Sequence, residues 1–385
     1  MADKIDDVAD WRRALHQMPE PGFEEIKTSR FVATKLRDFG LEVHDGIGGT
    51  GVIGVLRQGT GNRCIALRAD MDALKITERT GLPHASRHDG VMHACGHDGH
   101  TAMLLGAARE LAQRKDFSGS IVFLFQPAEE HGKGAQAMID DGLLERFPFD
   151  EIYGLHNLPG TPVGRFATRA GPLMACEDNF EIRLTGKGGH AARPHTSNDP
   201  IVIAAHLVLA LQAIVSRRAD PLDNAVVSVT EILTDGIRNV LPERVTLRGD
   251  TRSYLPAVQA MIEREMRKIA GGIADAFGAE VDVDYSHEFS STVNHAAETD
   301  HALAAAQAAL GAQSIEPEPM PMMGSEDFGL FLKHRPGNFA FLGNGTEGAH
   351  GLPLHNARYD FNDAALGPGI AFWTTLARQR LPLTD

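Results

Sequence analysis

The first part of the chain alternates amphipathic helical segments with short apolar runs. Apolar residues recur with helical spacing over the segments 5–16, 24–39, 101–113 and 135–144. Apolar runs with the length of a buried strand lie at 52–56, 64–67, 121–125 and 152–155. Strands that alternate with helices indicate an α/β domain, with a largely parallel sheet and helices on both faces.

The pattern changes after Gly171-Pro172, where alternating polar and apolar positions replace the buried runs. The predicted strands of this region are 180–184, 225–233, 245–253 and 280–285, and the predicted helices are 200–217 and 257–276. Asp199 and Pro200 are typical of the N-cap and first position of the first of these helices. The order strand-helix-strand-strand-helix-strand indicates a ferredoxin-like α+β domain.

After residue 289 the chain returns to helices and apolar strands such as 339–342, and it ends in a helix near 370–380. We therefore predict one α/β domain that is formed by residues 1–175 and 290–385. The smaller α+β domain, residues 176–289, is inserted into it.

Composition narrows the classes of partner. The 385 residues carry 37 Lys and Arg against 51 Asp and Glu, which gives a formal charge of −14. Binding to nucleic acid or to anionic lipid requires a basic surface, so we expect neither nucleic acid nor a membrane as a partner. The longest apolar stretch, 201–215, is also shorter than the roughly 20 residues that span a bilayer.

Cysteine usage indicates the compartment. The three cysteines are Cys64, Cys95 and Cys176. An odd and sparse set provides no disulfide framework and is typical of a reducing environment. The N-terminal segment also lacks the basic stretch followed by an apolar stretch that marks a secretory signal. We therefore expect a cytoplasmic protein.

The densest polar cluster is the run HACGHDGH at residues 93–100. Three histidines, a cysteine and an aspartate within eight residues are typical of a soft-to-borderline metal site. A histidine could instead cap the helix that begins near residue 101. Because capping needs one polar side chain and not five, the cluster favours metal binding.

Two adjacent carboxylates, Glu129 and Glu130, follow the apolar run 121–125. Open α/β sheets bind ligands at the carboxyl ends of their strands. Paired glutamates are common on protein surfaces, so the pair would mean little alone. Beside a metal cluster, one carboxylate can ligate while the other takes a proton from water.

Two further histidines complete a possible ligand set. His156 follows the predicted strand 152–155, and His355 lies in a Leu-His-Asn segment near the C-terminus. A lone histidine is more often structural than ligating. The possible protein ligands are nevertheless five, namely Cys95, His97, Glu130, His156 and His355. Two ions that share a bridging ligand fit this number better than one four-coordinate ion does.

These motifs resemble the amidohydrolase branch of the aminoacylase and carboxypeptidase G metallopeptidases. The branch includes hippurate hydrolases, plant auxin-amino-acid conjugate hydrolases and N-acetyl-amino-acid deacetylases. The likeness extends over nearly the whole chain, through RRALHQMPEPGFEE, LRADMDAL, HACGHDGH, PAEE, GKGGHAARPH, GSEDF and HNARYDFND. It implies a catalytic α/β domain with an inserted lid or dimerisation domain, and hence a homodimer.

The resemblance also implies roles in the catalytic domain. It makes the metal ligands Cys95, His97, Glu130, His156 and His355. Glu129 becomes the general base, and Asp72 supports the site without ligating. Related peptidases have a histidine ligand where this sequence has Asp70, and the cysteine-containing cluster compensates for that departure.

In the inserted domain, the resemblance implies that His190 polarises the scissile carbonyl and that Asn239 and Arg252 contact the substrate. Arg252 suits a free carboxylate. Each has a plainer alternative: Arg252 could be a solvated residue on an alternating strand, and His190 could only cap its glycine-rich turn.

The expected activity is hydrolysis of an N-acyl amino acid, a small molecule, to a carboxylate and a free amino acid. Thiolate and imidazole ligands favour two divalent ions of zinc, cobalt, nickel or manganese, and the resemblance favours manganese or zinc. Alternatives are a metallo-dipeptidase or aminopeptidase of the same fold, a non-enzymatic metal-binding module, and an NAD-dependent oxidoreductase. The last is disfavoured because the GxGxxG match at 49–54 runs into a strand and not into a helix.

Overall fold

The computed structural model describes residues 2–383. The chain divides into two compact units. Unit 1 contains the chain up to Leu173, Val293–Met320 and the chain from Asp327 onward, and unit 2 contains Met174–Thr292 and Pro321–Glu326. The boundaries predicted from the sequence lie after residues 175 and 289.

The α-helices follow the apolar spacing of the sequence. They are α1 (Ala2–His16), α2 (Ile26–Asp38), α3 (His97–Arg114), α4 (Gly134–Asp140), α5 (Leu143–Arg146), α6 (Pro200–Ala213), α7 (Pro256–Phe277), α8 (Ala296–Leu310), α9 (Gly329–Leu332) and α10 (Leu366–Arg380). In unit 1, α3 packs against α1 and α10, and α10 packs against α8. Nearly all of α3 is buried, so this helix is a core element of unit 1.

The strands of the described chain form an eight-stranded sheet, a four-stranded sheet and two two-stranded sheets. They are β1 (Glu42–Ile47), β2 (Gly51–Gln58), β3 (Cys64–Asp70), β4 (Gly119–Gln126), β5 (Glu151–Pro159), β6 (Phe166–Ala167), β7 (Gly171–Met174), β8 (Cys176–Thr185), β9 (Gly189–His190), β10 (Ala225–Thr234), β11 (Val240–Leu241), β12 (Arg244–Ser253), β13 (Glu280–Phe289), β14 (Thr292–Asn294), β15 (Ile315–Glu316) and β16 (Gly337–Gly345).

The sheet of unit 1 has the order β1-β2-β4-β3-β5-β16-β6-β15. Its central strands β4, β3, β5 and β16 are parallel, while β1 and β2 add an antiparallel edge. The largely parallel α/β domain is therefore confirmed. Strand β3 ends at Asp70 opposite Gln126, the last residue of β4. Parallel neighbours thus deliver their following residues to one edge of the sheet, where the predicted site residues also occur.

Unit 2 has the predicted strand-helix-strand-strand-helix-strand order, with an antiparallel sheet β10-β12-β8-β13. Burial alternates along β8, as a strand with one covered face requires. The core between this sheet and helices α6 and α7 is formed by apolar side chains that include Ile182, Leu207, Leu247, Ile262 and Met266. The inserted ferredoxin-like fold is confirmed.

Helix α6 begins as the sequence predicts, because the Asp199 side chain accepts a hydrogen bond from the Ile201 backbone N–H at 2.9 Å. Its helical run is longer than the apolar stretch 201–215. Through one π-helical turn it extends over the 19 residues Pro200–Arg218, in which an 18-residue window has a mean hydropathy of 1.7. By length and composition alone this run is sufficient to span a membrane, which corrects the expectation that it is too short. One face packs in the core of unit 2, and the other leaves Leu209 72% exposed.

Candidate active site

A glycine at the start of α3 brings Cys95 and His97 into the site. Gly96 has a φ of +91°, and a Cβ there would lie 2.4 Å from the Asn157 side-chain nitrogen. Only glycine fits this turn, because other residues meet both backbone strain and a steric clash. As a result the Cys95 Sγ lies 3.4 Å from the His156 Nε2, and His97 opens the helix.

The two glutamates face the same point from the end of β4. The His97 Nε2 lies 3.9 Å from a carboxylate oxygen of Glu129 and 3.9 Å from one of Glu130. Both glutamates are held through their backbones, since their N–H groups donate to the two oxygens of Asp72 at 3.1 Å each. Asp72 therefore orients the pair, which is the supporting position that the resemblance implies for it.

His355 reaches the site from the C-terminal part of unit 1. Its Nε2 lies 3.5 Å from the other carboxylate oxygen of Glu130. Its backbone has a φ of +65°, and its N–H donates to the Ala94 carbonyl at 2.8 Å. The imidazole is 53% exposed, so it lies on the open side of the cluster. All five residues named as ligands, together with Glu129 and Asp72, thus meet in unit 1.

The donor set fits a soft-to-borderline cation. Ligand atoms of Cys95, His97 and Glu130 all lie within 4.8 Å of one another. Among residues 2–383, the His97 Nε2 and the Glu130 Oε1 are buried without a hydrogen-bond partner. Buried polar atoms without partners are unfavourable, and a bound cation would satisfy both.

The electrostatics of the cluster also favour a cation. Burial by itself would lower the pKa of His97, but the negative charges of Asp70, Asp72 and Glu130 outweigh burial and raise that pKa to about 10. An imidazole that holds a proton so strongly reports a concentration of negative charge. A divalent ion would replace that proton and neutralise the carboxylates.

The pKa values of Cys95 and His156 are also shifted, in directions that a metal site explains. Burial, and then the carboxylates of Glu130 and Glu129, raise the pKa of the Cys95 thiol well above its ordinary value. Burial, and then the neighbouring His100, lower the pKa of His156 well below its ordinary value. A neutral imidazole is ready to ligate, whereas the thiol requires a metal ion to lose its proton.

His100 lies beside the cluster, and its ring is already fully bonded. Its Nδ1 is 2.6 Å from a carboxylate oxygen of Asp70, and its Nε2 accepts from the Asn157 backbone N–H at 2.9 Å. The other Asp70 oxygen accepts from Arg68 at 2.7 Å. Asp70 and His100 therefore support the site, although their atoms lie near His97 and His156.

Asn157 joins the segments that carry the ligands. Its side-chain nitrogen donates to the Cys95 carbonyl at 2.6 Å, and its side-chain oxygen accepts from the Tyr359 hydroxyl at 2.7 Å. The cysteine loop, strand β5 and the segment after His355 are thus tied by one amide. The sequence predicts no role for Asn157 or for Tyr359. The position of Asn157 directly after a candidate ligand was an available signal, but no spacing identifies Tyr359.

The remaining polar residues of the 93–100 cluster face elsewhere. Asp98 accepts a hydrogen bond from His16 at 2.8 Å and lies 3.6 Å from Arg12. Burial lowers the pKa of His16, but Asp98 and, to a smaller extent, Glu78 outweigh burial and raise that pKa to about 9. His93 is buried and makes no hydrogen bond through its ring within the described chain. Of the five polar side chains in the cluster, Cys95 and His97 are the ones that face the glutamates.

Unit 2 carries the other predicted residues. His190 lies on β9, is exposed, and accepts the Ala192 backbone N–H at its Nδ1 at 3.1 Å. Asn239 is exposed beside it, and its carbonyl accepts from the Ala191 N–H at 3.2 Å.

Arg252 is occupied within unit 2. Its guanidinium lies 3.0 Å from the carboxylate of Glu177 and 2.8 Å from that of Asp250. It also donates to the Ser325 hydroxyl at 2.6 Å. Its positive charge is therefore compensated by two carboxylates, and its side chain is 23% exposed.

We predict that a bound metal ion shields Cys95. A ligating thiolate is deprotonated but inaccessible to reagents, so thiol labelling should be slow in the metal-loaded protein and fast after chelation. The measurement uses a Cys64→Ala/Cys176→Ala background, in which Cys95 is the remaining thiol. The same background with Cys95→Ala gives the blank. Equal labelling rates with and without metal would contradict ligation by Cys95.

Comparisons with known proteins agree with this geometry. Residues 66–379 match the model of Peptidase family M20/M25/M40. The chain is 40% identical over 370 residues to a hippurate hydrolase of Campylobacter jejuni, covering 96% of this chain and 95% of that protein. It is 41% identical over 356 residues to an N-acetyl-L-cysteine deacetylase of Bacillus subtilis, covering 92% and 83%.

A solved structure extends the likeness to three dimensions. Bacillus subtilis YXEP, described as a dinuclear metal binding peptidase from the M20 family, matches with a TM-score of 0.86 and 34% identity over 99% of both chains. The resemblance drawn from the motifs is therefore confirmed. The chain belongs to peptidase family M20/M25/M40 and is a hydrolase of its amidohydrolase branch.

Proposed function

We propose that the protein hydrolyses the amide bond of N-acyl amino acids of the hippurate, N-acetyl or indoleacetyl type. One observation carries the proposal: Glu129 is not among the five proposed ligands, yet its carboxylate lies as close to His97 as that of Glu130 does, 3.9 Å. A binding module has no use for this additional carboxylate. A hydrolase needs it as a general base.

The residues of unit 1 divide into ligands and a base. Two divalent ions, manganese or zinc, would be held by Cys95, His97, Glu130, His156 and His355. When bound, such ions acidify a water molecule and polarise an amide carbonyl. Glu129 accepts the proton of the attacking water and returns it to the leaving nitrogen, which becomes the amine of the free amino acid.

The hydrogen bonding of His190 favours the tautomer that can donate a hydrogen bond to an oxyanion. Because its Nδ1 accepts the Ala192 N–H, the neutral ring carries its proton on Nε2 and can donate from there. We propose that this N–H stabilises the negative charge that develops on the carbonyl oxygen. Asn239 would contact the substrate, and Arg252 its free carboxylate.

The names of the relatives support the substrate class. Hippurate and N-acetyl-L-cysteine are both amino acids with an acylated nitrogen and a free carboxylate, although the acyl groups differ greatly in size. We therefore propose the N-acyl amino acid as the shared feature. We also propose a cytoplasmic homodimer, formed through unit 2, which leaves Leu209, Ile232 and Leu233 exposed.

Substrate preference tests this function directly. With added Mn²⁺ or Zn²⁺, the protein should release amino acid from hippurate, N-acetyl or indoleacetyl amino acids. It should turn over Gly-Gly much more slowly, because Gly-Gly carries a free amine in place of the acylated nitrogen that hippurate and N-acetyl-L-cysteine share. Faster hydrolysis of Gly-Gly would instead assign the protein as a dipeptidase of the same fold.

Single variants of Glu129 and Glu130 should distinguish the roles of the two glutamates. Glu129→Gln should keep its metal and lose activity by about 10²–10⁴-fold, the usual contribution of general acid–base catalysis. Glu130→Gln should lose metal, because its oxygens lie between His97 and His355. Elemental analysis measures the bound metal, and kcat measures the activity. If Glu129→Gln lost metal and Glu130→Gln kept it, the roles of base and ligand would be exchanged.

Mixed dimers test the proposal that His190 acts in the partner's site. Glu129→Ala and His190→Ala should each be inactive alone. In a heterodimer, one site would then carry both lesions and the other neither, so about half of the wild-type activity should return. Differentially tagged, purified heterodimers provide the measurement. If they stay inactive, His190 acts within its own chain.

A further inference from the structure

The loop that carries Glu129 and Glu130 is held by two carboxylates, of which Asp72 is one. Three consecutive backbone N–H groups of this loop point to carboxylate oxygens. Those of Glu129 and Glu130 donate to Asp72, and that of Ala128 donates to Glu25 at 2.8 Å. Pro127, the preceding residue, has no N–H. The backbone of the loop is therefore fixed from two sides.

The role of Glu25 is not the one that its position in the chain predicts. Glu25 occupies the N-cap of α2, but in the described structure its side chain makes no capping hydrogen bond to that helix. Glu20 does so instead, accepting from the N–H groups of Lys27 at 2.8 Å and Thr28 at 2.9 Å. The Glu25 carboxylate turns inward and binds the Ala128 N–H and the Thr50 hydroxyl.

The turn that Glu25 holds is a strained one. Ala128 has a φ of +50°, in the left-handed region that disfavours every residue with a Cβ. Strain of this kind persists only where the surroundings impose it. Ala128 is fully buried, and the segment before Glu25 is pinned beside Asp72, because Pro21 forms a parallel bridge with Ala73.

Keeping a carboxylate at this place is itself unfavourable. Glu25 is fully buried, and burial raises its pKa to about 7 even though the hydrogen bonds from Thr50 and Ala128 oppose the shift. A buried carboxylate that only filled space would be poorly suited beside Asp72, whose charge raises the same pKa. The hydrogen bond that the Glu25 carboxylate accepts from the Ala128 N–H is a physical reason for a carboxylate at this buried position.

We propose that Glu25 is a positioning residue, which holds Ala128 in its left-handed turn and so aims the carboxylates of Glu129 and Glu130 at His97. The inference rests on the proposed function only for its effect on catalysis. Its effect on metal binding stands independently, because Glu130 belongs to the ligand-type cluster. Residues that orient metal ligands typically change metal affinity or activity by about 10–100-fold.

The first experiment titrates the full-length protein with Co²⁺ alone and follows the visible spectrum. Glu25→Ala should weaken Co²⁺ binding by about 10–100-fold, since the Ala128 N–H loses its acceptor. Glu25→Gln should stay close to wild type, because its amide oxygen can still accept that N–H. The matched control is Glu20→Ala, which removes the capping carboxylate from the same segment. It should lower thermal stability and leave Co²⁺ affinity unchanged.

A second variant isolates the turn. Glycine adopts a φ of +50° without strain, so Ala128→Gly in the Glu25→Ala background should recover part of the lost Co²⁺ affinity and kcat. Wild-type Co²⁺ affinity in Glu25→Ala, an equal loss in Glu20→Ala, or no recovery on adding Ala128→Gly would each overturn the inference. If wild type binds Co²⁺ but hydrolyses no N-acyl amino acid, the proposed function fails while the Co²⁺ titrations still decide the role of Glu25.

Discussion

The constraint on which the site depends is a buried excess of negative charge around one imidazole. Asp70, Asp72 and Glu130 surround His97 closely enough to raise its pKa to about 10 against the opposing effect of burial. Carboxylates brought this close repel one another and desolvate poorly, so the chain alone does not stabilise the arrangement. A cation does, which is why a metal centre follows from the electrostatics as much as from the ligand types.

The fold maintains this arrangement mainly by fixing the backbone segments that carry the charged side chains. Parallel strands β3, β4 and β5 deliver their ends to one edge of the sheet, and rigid turns at Gly96 and Ala128 place the next residues. Hydrogen bonds from Arg68 and His100 to Asp70 neutralise part of the charge without occupying a ligand position. These two residues therefore compensate only part of the charge of the cluster, and they leave the His97 Nε2 and the Glu130 Oε1 available.

The periodicity of apolar residues predicts the architecture, and the chemistry of the motifs predicts the residues that meet around His97. The supporting residues were beyond both. Tyr359 reaches Asn157 across 202 positions of sequence, a contact that only the topology creates. Local signals can also mislead, since Asp98 lies in the motif that predicts a metal site but pairs with His16. Glu25, within the predicted helical segment 24–39, stands at the N-cap of α2 and binds the Ala128 N–H instead of that helix. His156, expected after its strand, lies inside β5, because the strand continues to Pro159.

The charged residues proposed to act on the substrate are uncompensated in unit 1 and ion-paired in unit 2. Unit 1 gathers negative charge and leaves it for a cation. Unit 2 has its candidate carboxylate-binding residue, Arg252, already paired with Glu177 and Asp250 and bonded to Ser325. A substrate carboxylate at Arg252 would exchange with an existing partner, and such exchanges contribute a small net free energy. Under the proposed function, Arg252 would therefore orient the free carboxylate more than it would strengthen binding.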